Sequence, residues 1–355
     1  MAEVNSPSVK IGQRVVGESF PPYIIAEMSG NHNGELDRAL ALVRAAKDAG
    51  ADAIKLQTYT ADTMTIDHDA DDFRIRGGLW DGRNLYELYQ QAHTPWAWTR
   101  PLFELGNELG IDVFSTPFDE TAVAFLEQFS PPAYKIASFE LTDTPLLESV
   151  AQTGRPVILS TGMADVEEIT TAVNTLEHSG AGALVILHCV SGYPTPVDES
   201  NIRTILDLSN RFSHVVGLSD HTLGTAVAVG AVACGARVIE KHFTLKRSDG
   251  GPDAAFSLEP DELKVLVDDT RAVFTALGAP GYARKPSEQA NAQFRRSVYV
   301  VKDIAAGEVF DTENIRRIRP GFGLAPRLYL EILGKKAKRS LKRGSPLRAE
   351  DVGEG

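Results

Sequence analysis

The sequence predicts an α/β fold, a (β/α)8 TIM barrel followed by a small β-rich domain, and three observations support this. From Tyr23 to about Ala276 one unit recurs roughly every 25–30 residues. It consists of a short β-branched run ending in polar residues, then an amphipathic stretch with Ala and Leu at helical spacing. Eight such units over roughly 250 residues suit that barrel. Composition and charge then change beyond a Gly- and Pro-bearing stretch near residue 280. An open doubly wound sheet is the competing fold, but the chain lacks the glycine-rich dinucleotide turn after its first strand.

The expected barrel strands are Tyr23–Ser29, Ala53–Tyr59, Asp112–Phe118, Ala133–Ser138, Pro156–Gly162, Ala183–Cys189, Val215–Asp220 and Arg237–Phe243. Helices follow most of them. Asp37–Ala49 carries Leu40 and Val43 on one face and stops at Gly50, Val166–His178 stops before Gly180, and Asp261–Leu277 stops at Gly278. Glycine suits these ends because it takes the left-handed conformation cheaply. One insertion breaks the rhythm. Thr60–Thr94 is too long for a plain connection, and it leaves the end of a strand that faces the barrel mouth, so it is expected to form a wall or lid.

Residues 1–277 therefore form the barrel, 278–293 a linker without periodicity, and 294–355 a compact, loop-rich β-domain opening on Ser297–Val301. The net charge of −12 divides unevenly between them. From Phe294 onward there are 14 Lys+Arg against 8 Asp+Glu, a balance of +6, which leaves 22 against 40, or −18, for the rest. A basic domain of this kind binds nucleic acid or docks on an acidic surface. Docking on an acidic barrel is the preferred reading, with no nucleic acid and no membrane among the expected partners. No apolar run approaches the length of a membrane span, and the N-terminus lacks the basic start and apolar core of a secretion signal. Cys189 and Cys234 both lie in apolar segments and read as buried thiols of a cytoplasmic protein.

In such a barrel the strand C-terminal ends meet at the catalytic face. The polar residues expected there include Glu27, Lys55, Gln57, Thr116, Lys135, Ser138, Ser160, Ser191, Tyr193, Glu240 and Lys241. Three lysines in one mouth need an anion between them, and a substrate bearing phosphate and carboxylate supplies it. The bland alternative for each lysine is a salt bridge to Glu140 or Glu240. His221 and His242 end neighbouring strands, where two neutral imidazoles can hold a divalent metal with positions open to substrate. Strand-end histidines also serve as structural hydrogen-bonders, and Lys135 is open to a Schiff-base role. His188, inside an apolar strand, is expected to be a core residue.

The chain resembles the sialic acid synthases, metal-dependent enzymes that condense phosphoenolpyruvate with a sugar. The resemblance rests on Ile25-Ala-Glu-Met-Ser-Gly-Asn-His-Asn33, Ala51-Asp-Ala-Ile-Lys-Leu-Gln-Thr-Tyr59, Phe114-Ser-Thr-Pro-Phe118, Tyr134-Lys-Ile-Ala-Ser138, Leu159-Ser-Thr-Gly162, Leu218-Ser-Asp-His-Thr222 and Glu240-Lys-His-Phe243. The insertion, with Gly77-Gly-Leu-Trp-Asp81 and Leu85-Tyr-Glu-Leu-Tyr89, is similar to the pseudaminic acid branch, whereas the Gly250–Phe256 loop is closer to the neuraminate type.

The resemblance implies that His221 and His242 ligate Mn or Mg, and that Glu27 lies beside the reacting carbons. It implies that Lys55, Lys135, Ser138, Ser160 and Ser191 bind phosphoenolpyruvate, although Ser191 replaces the asparagine of neuraminate synthases. Gln57, Tyr193 and Asp253 would contact the sugar, with Thr116, Phe118 and Lys241 completing the substrate-binding set. The tail resembles the family's antifreeze-like SAF (β-clip) domain. In such domain-swapped homodimers that domain crosses to its partner's barrel, and Arg319 matches the arginine that reaches the sugar. Trp80 is expected to pack against a deoxy C6 methyl.

Overall fold

The structure, a computed structural model, describes residues 6–354 and divides into two compact units, Met1–Gly278 and Ala279–Gly355. In the first unit a short antiparallel hairpin, β1 (Ser8–Ile11) and β2 (Arg14–Gly17), precedes the barrel. The barrel strands are β3 (Tyr23–Glu27), β4 (Ala53–Thr58), β5 (Asp112–Pro117), β6 (Tyr134–Ile136), β7 (Pro156–Ser160), β8 (Ala183–Cys189), β9 (Val215–Asp220) and β10 (Val238–His242). Each pairs in parallel with the next, and β10 closes on β3 with His242 beside Glu27. The predicted strands are all present, most of them ending a residue or two earlier, where the chain bends into the mouth loops.

Helices α1 (Leu36–Asp48), α4 (Thr99–Leu109), α5 (Glu120–Leu126), α6 (Thr144–Ala151), α7 (Val166–His178), α8 (Thr204–Phe212), α9 (Ala226–Ala233) and α10 (Pro260–Leu277) return the chain between strands and close the ring. Two short helices, α2 (Ala61–Met64) and α3 (Leu85–Ala92), lie inside the insertion. α7 shows why the sequence stops and starts where it does. The Asp165 carboxylate accepts from the Glu168 amide while Glu168 reaches back to the Asp165 amide, and the buried stripe is Ile169, Ala172, Val173 and Leu176.

Strand alternation sorts the core into two clusters. Outward-facing strand residues such as Ile54, Leu159, Ile186 and Ile239 pack against the helices. Inward-facing residues such as Ile25, Phe114, Ile158 and Leu187 fill the barrel axis, where Val9, Ile11 and Val16 of the hairpin join them. The hairpin therefore plugs the base of the barrel with apolar side chains, and polar residues are left to the opposite end.

In the second unit β11 (Ser297–Val300) pairs antiparallel with β12 (Ile315–Ile318), and isolated bridges tie Tyr299 to Pro346 and Ile304 to Leu341. Val298, Val300, Phe310, Ile315 and Leu347 form its core around one short helix, α11 (Tyr329–Ile332). Residues 278–293, read from sequence as a linker, contain a 3-10 turn at Pro286–Glu288 and the start of another at Ala290–Phe294.

Candidate active site

The C-terminal ends of the barrel strands surround a cavity of about 400 Å³. Its charged floor is built on Glu240, at an inward position of β10 and buried. Glu240 Oε1 lies 3.7 Å from Lys55 Nζ and 3.9 Å from Lys135 Nζ, both ammonium groups being nearly inaccessible. Lys55 also pairs with Glu27 Oε2 at 2.8 Å and donates to Thr116 Oγ1 at 3.1 Å. Lys135 donates to Ser160 Oγ at 2.6 Å and to the Ile136 carbonyl at 2.9 Å. Both lysines thus pair with Glu240 rather than Glu140, and Glu240 Oε2 has no hydrogen-bond partner among the described residues.

Burial acts differently on the members of this group. Glu27 is pushed up to about 7, mainly by desolvation and partly by the nearby Glu240 charge, with Lys55 opposing. Lys55, although buried, is held above its ordinary value because Glu240 and Glu27 outweigh desolvation. For Lys135 burial wins and the value falls, with Lys55 adding to the fall. Glu140, on the turn after β6, is likewise raised to about 7 by burial, and its Oε2 also lacks a partner among the described residues.

Beside the lysines, Ser138, Ser160 and Ser191 line one wall of the cavity. The Gly162 amide donates to Ser138 Oγ at 3.0 Å, and a Cβ at Gly162 would collide with the hydroxyls of Ser191 and Ser138. Glycine is required because two hydroxyl-bearing loops, those of Ser138 and Ser191, converge on its backbone, leaving an oxygen-binding cradle beside Ser160 and the Lys135 ammonium.

His221 and His242 face each other across the cavity with ring centroids 5.4 Å apart. His221 Nδ1 lies 2.9 Å from the Val190 carbonyl, which assigns the proton to Nδ1 and leaves Nε2 as the free nitrogen. His242 Nδ1 is buried without a hydrogen-bond partner among the described residues, with Asp253 Oδ2 3.5 Å away. Desolvation, His221 and the nearby lysines hold His242 well below the usual imidazole range, so it is neutral. For His221 burial also acts downward, but the Cys189 sulfur at 3.8 Å, the Val190 carbonyl and Glu240 hold its proton more firmly. Two imidazoles with free ring nitrogens fit a divalent ion. Among the described residues no third His, Cys, Asp or Glu completes a metal-holding cluster, so other ligands would come from water or substrate.

A hydrogen-bonded row continues from the floor toward the loop between β10 and α10. Gln57 Nε2 donates to Glu27 Oε1 at 2.8 Å and to Ser29 Oγ at 3.2 Å, and Ser29 donates to Asp253. Tyr193 packs at 4.4 Å from the His221 ring, and Phe118 packs edge-on to Tyr59 at 5.1 Å.

The structure therefore brings Glu27, Lys55, Gln57, Phe118, Lys135, Ser138, Ser160, Ser191, Tyr193, His221, His242 and Asp253 into one cavity. It does not bring Lys241 there. Lys241 sits between inward-facing Glu240 and His242, so the pleat turns it outward, where it pairs with Asp220 at 2.8 Å and donates to the Thr222 carbonyl. Two lysines, not three, face the cavity. Thr116 is fully buried and meets the site through Lys55, and Arg319 lies exposed in the second unit. His188 is turned outward and bonds the Ser200 carbonyl, as a core histidine should. Cys189 and Cys234 are both free thiols.

Sequence reasoning gave no site role to Ser29, and it placed Glu240 at the barrel mouth with no role beyond a salt bridge to a lysine. The signal for Glu240 was available, since it is two residues from His242 on the same face of β10.

This arrangement can be compared with known proteins. A model of the NeuB family matches residues 42–282, and a SAF domain model matches residues 295–353. The chain belongs to the NeuB family. Its relatives include the pseudaminic acid synthase of Campylobacter jejuni serotype O:2, 47% identical over 93% of this chain and 96% of that protein. The pseudaminic acid synthase of Helicobacter pylori is 42% identical over 94% and 98%. Among solved structures, an N-acetylneuraminic acid synthetase of Leptospira borgpetersenii superposes with a TM-score of 0.73 at 33% identity, covering 82% of this chain and 96% of that one. The NeuB model spans the barrel from the middle of α1 onward and so takes in Lys55, Lys135, Glu240, His221, His242 and Asp253, while Glu27 on β3 precedes the matched residues.

Proposed function

We infer that the protein condenses phosphoenolpyruvate with an open-chain 2,4-diacetamido-2,4,6-trideoxy hexose and water. The products are a nine-carbon 2-keto acid and phosphate, the reaction of a pseudaminic acid synthase and a transferase-type carbon–carbon bond formation. The observation that carries this reading is the pair Lys55 and Lys135, bridged by Glu240 and flanked by Ser138, Ser160 and Ser191, directly beside the two imidazoles. The same barrel chemistry would serve an N-acetylneuraminate or legionaminate synthase, and only the acceptor sugar separates them.

The lysines and serines bind the phosphate and carboxylate and hold the enol carbon against the aldehyde. A divalent metal (Mn or Mg) held by His221 and His242 would supply Lewis-acid polarisation of the aldehyde oxygen. C3 of phosphoenolpyruvate bonds to the aldehyde carbon, and positive charge develops at C2. Water adds at C2 while Glu27, poised near neutrality, takes its proton. The resulting tetrahedral intermediate expels phosphate by breaking the bond between C2 and the phosphate-bridging oxygen. Gln57, Tyr193 and Asp253 would hold sugar hydroxyls, and the free Glu140 Oε2 would accept from an amide N–H of the acceptor.

Charge balance supports a domain-swapped homodimer, in which the +6 tail of one copy docks on the −18 barrel of the other and brings Arg319 to its mouth. Truncation at Gly278 should then abolish turnover. No helix among the described residues is long and apolar enough to cross a membrane, and two free thiols fit a cytoplasmic setting. Turnover in oxygen-18 water tests the chemistry. Label should enter the sugar acid, and label found only in the released phosphate would disprove the C–O cleavage.

A further inference from the structure

The cavity has two chemistries, and they come from different parts of the chain. Strand ends and the β10–α10 loop supply its charged and hydrogen-bonding groups, whereas the insertion between β4 and α4 supplies Met64, Ile75, Trp80, Leu85, Leu88 and Tyr89. Apart from the Tyr89 hydroxyl, the polar atom these side chains bring is Trp80 Nε1. That atom is already committed, donating to the Pro252 carbonyl at 3.0 Å in the loop that carries Asp253. Trp80 is thereby latched over the site, while Ile75 and Leu85 remain half-buried on the cavity wall.

The distance from this wall to the reacting centre is bounded by the aromatic row. Tyr193 lies 4.4 Å from His221 and 5.7 Å from Trp80, ring centre to ring centre, which puts Trp80 within about 10 Å of the His221 imidazole. An open-chain hexose spans about 6 Å from C1 to C6 at ordinary carbon–carbon bond lengths. With its aldehyde beside His221 and His242, its far end reaches the insertion wall.

Resting on the condensation reading above, we propose that Ile75, Trp80 and Leu85 form the subsite that reads C6 of the acceptor, taking a methyl group and disfavouring a hydroxymethyl. A C6 hydroxyl would lose water against Ile75, Trp80 and Leu85 and gain no side-chain partner from these three, whereas a methyl adds apolar contact. A hydrophobic wall of this type discriminates against an added hydroxyl by about 10- to 100-fold, not more.

The test compares kcat/KM, read as phosphate release, for two acylamino hexoses identical except for a 6-deoxy or 6-hydroxy terminus. The enzymes are the full chain and its Ile75→Asn and Leu85→Gln variants, each checked for native circular dichroism. The wild type should favour the 6-deoxy sugar by 10- to 100-fold, and the polar variants should bring the ratio toward unity. A wild-type ratio within threefold, or a ratio unmoved in both folded variants, overturns the subsite while leaving the condensation reading intact. Absence of phosphate release with either sugar, despite bound phosphoenolpyruvate, overturns both.

Discussion

Removing the charge of Glu240 should expose how the anion site is held together before substrate arrives. In Glu240→Gln two buried ammonium groups, 3.7 and 3.9 Å from the lost carboxylate, must find other compensation. Lys55 keeps Glu27 at 2.8 Å, but Lys135 keeps only neutral partners, Ser160 and the Ile136 carbonyl. At an effective dielectric of about 20, each lost attraction is worth about 4 kcal/mol, part of which is returned because Glu240 no longer has to be desolvated. The net cost should be about 3–5 kcal/mol, the range for breaking one side of a buried pair. For a barrel of this size that lowers the melting temperature by about 6–15 °C. Phosphoenolpyruvate brings its own negative charge to the same lysines, so saturating ligand should stabilise the variant more than it stabilises the wild type. Thermal unfolding with and without phosphoenolpyruvate measures both effects. A variant that melts with the wild type, or gains no extra protection from ligand, would refute the idea that Glu240 stands in for the substrate's anion.

Three further outcomes follow from the site. Burial raises Glu27 from its ordinary 4.5 to about 7, so between those pH values the folded state holds a proton that the unfolded chain lacks. Stability should therefore fall by an amount on the order of 1–3 kcal/mol as pH rises through that window. Free-enzyme kcat/KM should rise through pH 7, and Glu27→Gln should flatten both profiles. Lys241→Met leaves Asp220 buried without its ammonium, so it should lower the melting temperature while KM for phosphoenolpyruvate stays within about twofold. A tenfold rise in KM would return Lys241 to the anion site. Equilibrium dialysis should show one Mn bound per wild-type chain and none in the His221→Ala, His242→Ala double variant, with phosphate release lost on chelation and restored by Mn.

The barrel was legible because its rhythm repeats eight times and because glycine marks several helix ends. The site was legible to the extent that strand ends converge by topology. Lys241 was misplaced because proximity to two site residues was read without the pleat. Counting faces along Glu240, Lys241 and His242 separates them from sequence alone. Ser29 could not be found that way, since its place depends on Gln57 and on Asp253, which is 224 residues distant in the chain. The hairpin Ser8–Gly17 was passed over because two four-residue strands carry too short an alternation to stand out, and their burial depends on a barrel base assembled much later in the chain. The insertion was recognised by its length, but its apolar face emerges only when α2, α3 and Trp80 are folded over the cavity.

That hairpin has a kinetic consequence. With Val9, Ile11 and Val16 stopping the base, the mouth is the one doorway that the described residues leave to reactants and products. Lys55, Lys135 and Ser160 lie at the bottom of this blind well, each under 4% exposed, while the insertion stands over its opening. A sugar arriving first would block the way to the lysines, so loading should be ordered, phosphoenolpyruvate first and acceptor second. Discharge must run in the reverse spatial order, the long keto acid leaving before phosphate can climb out. Initial-rate plots should show the sugar as a dead-end inhibitor at high concentration, and inorganic phosphate should compete with phosphoenolpyruvate but not with the acceptor.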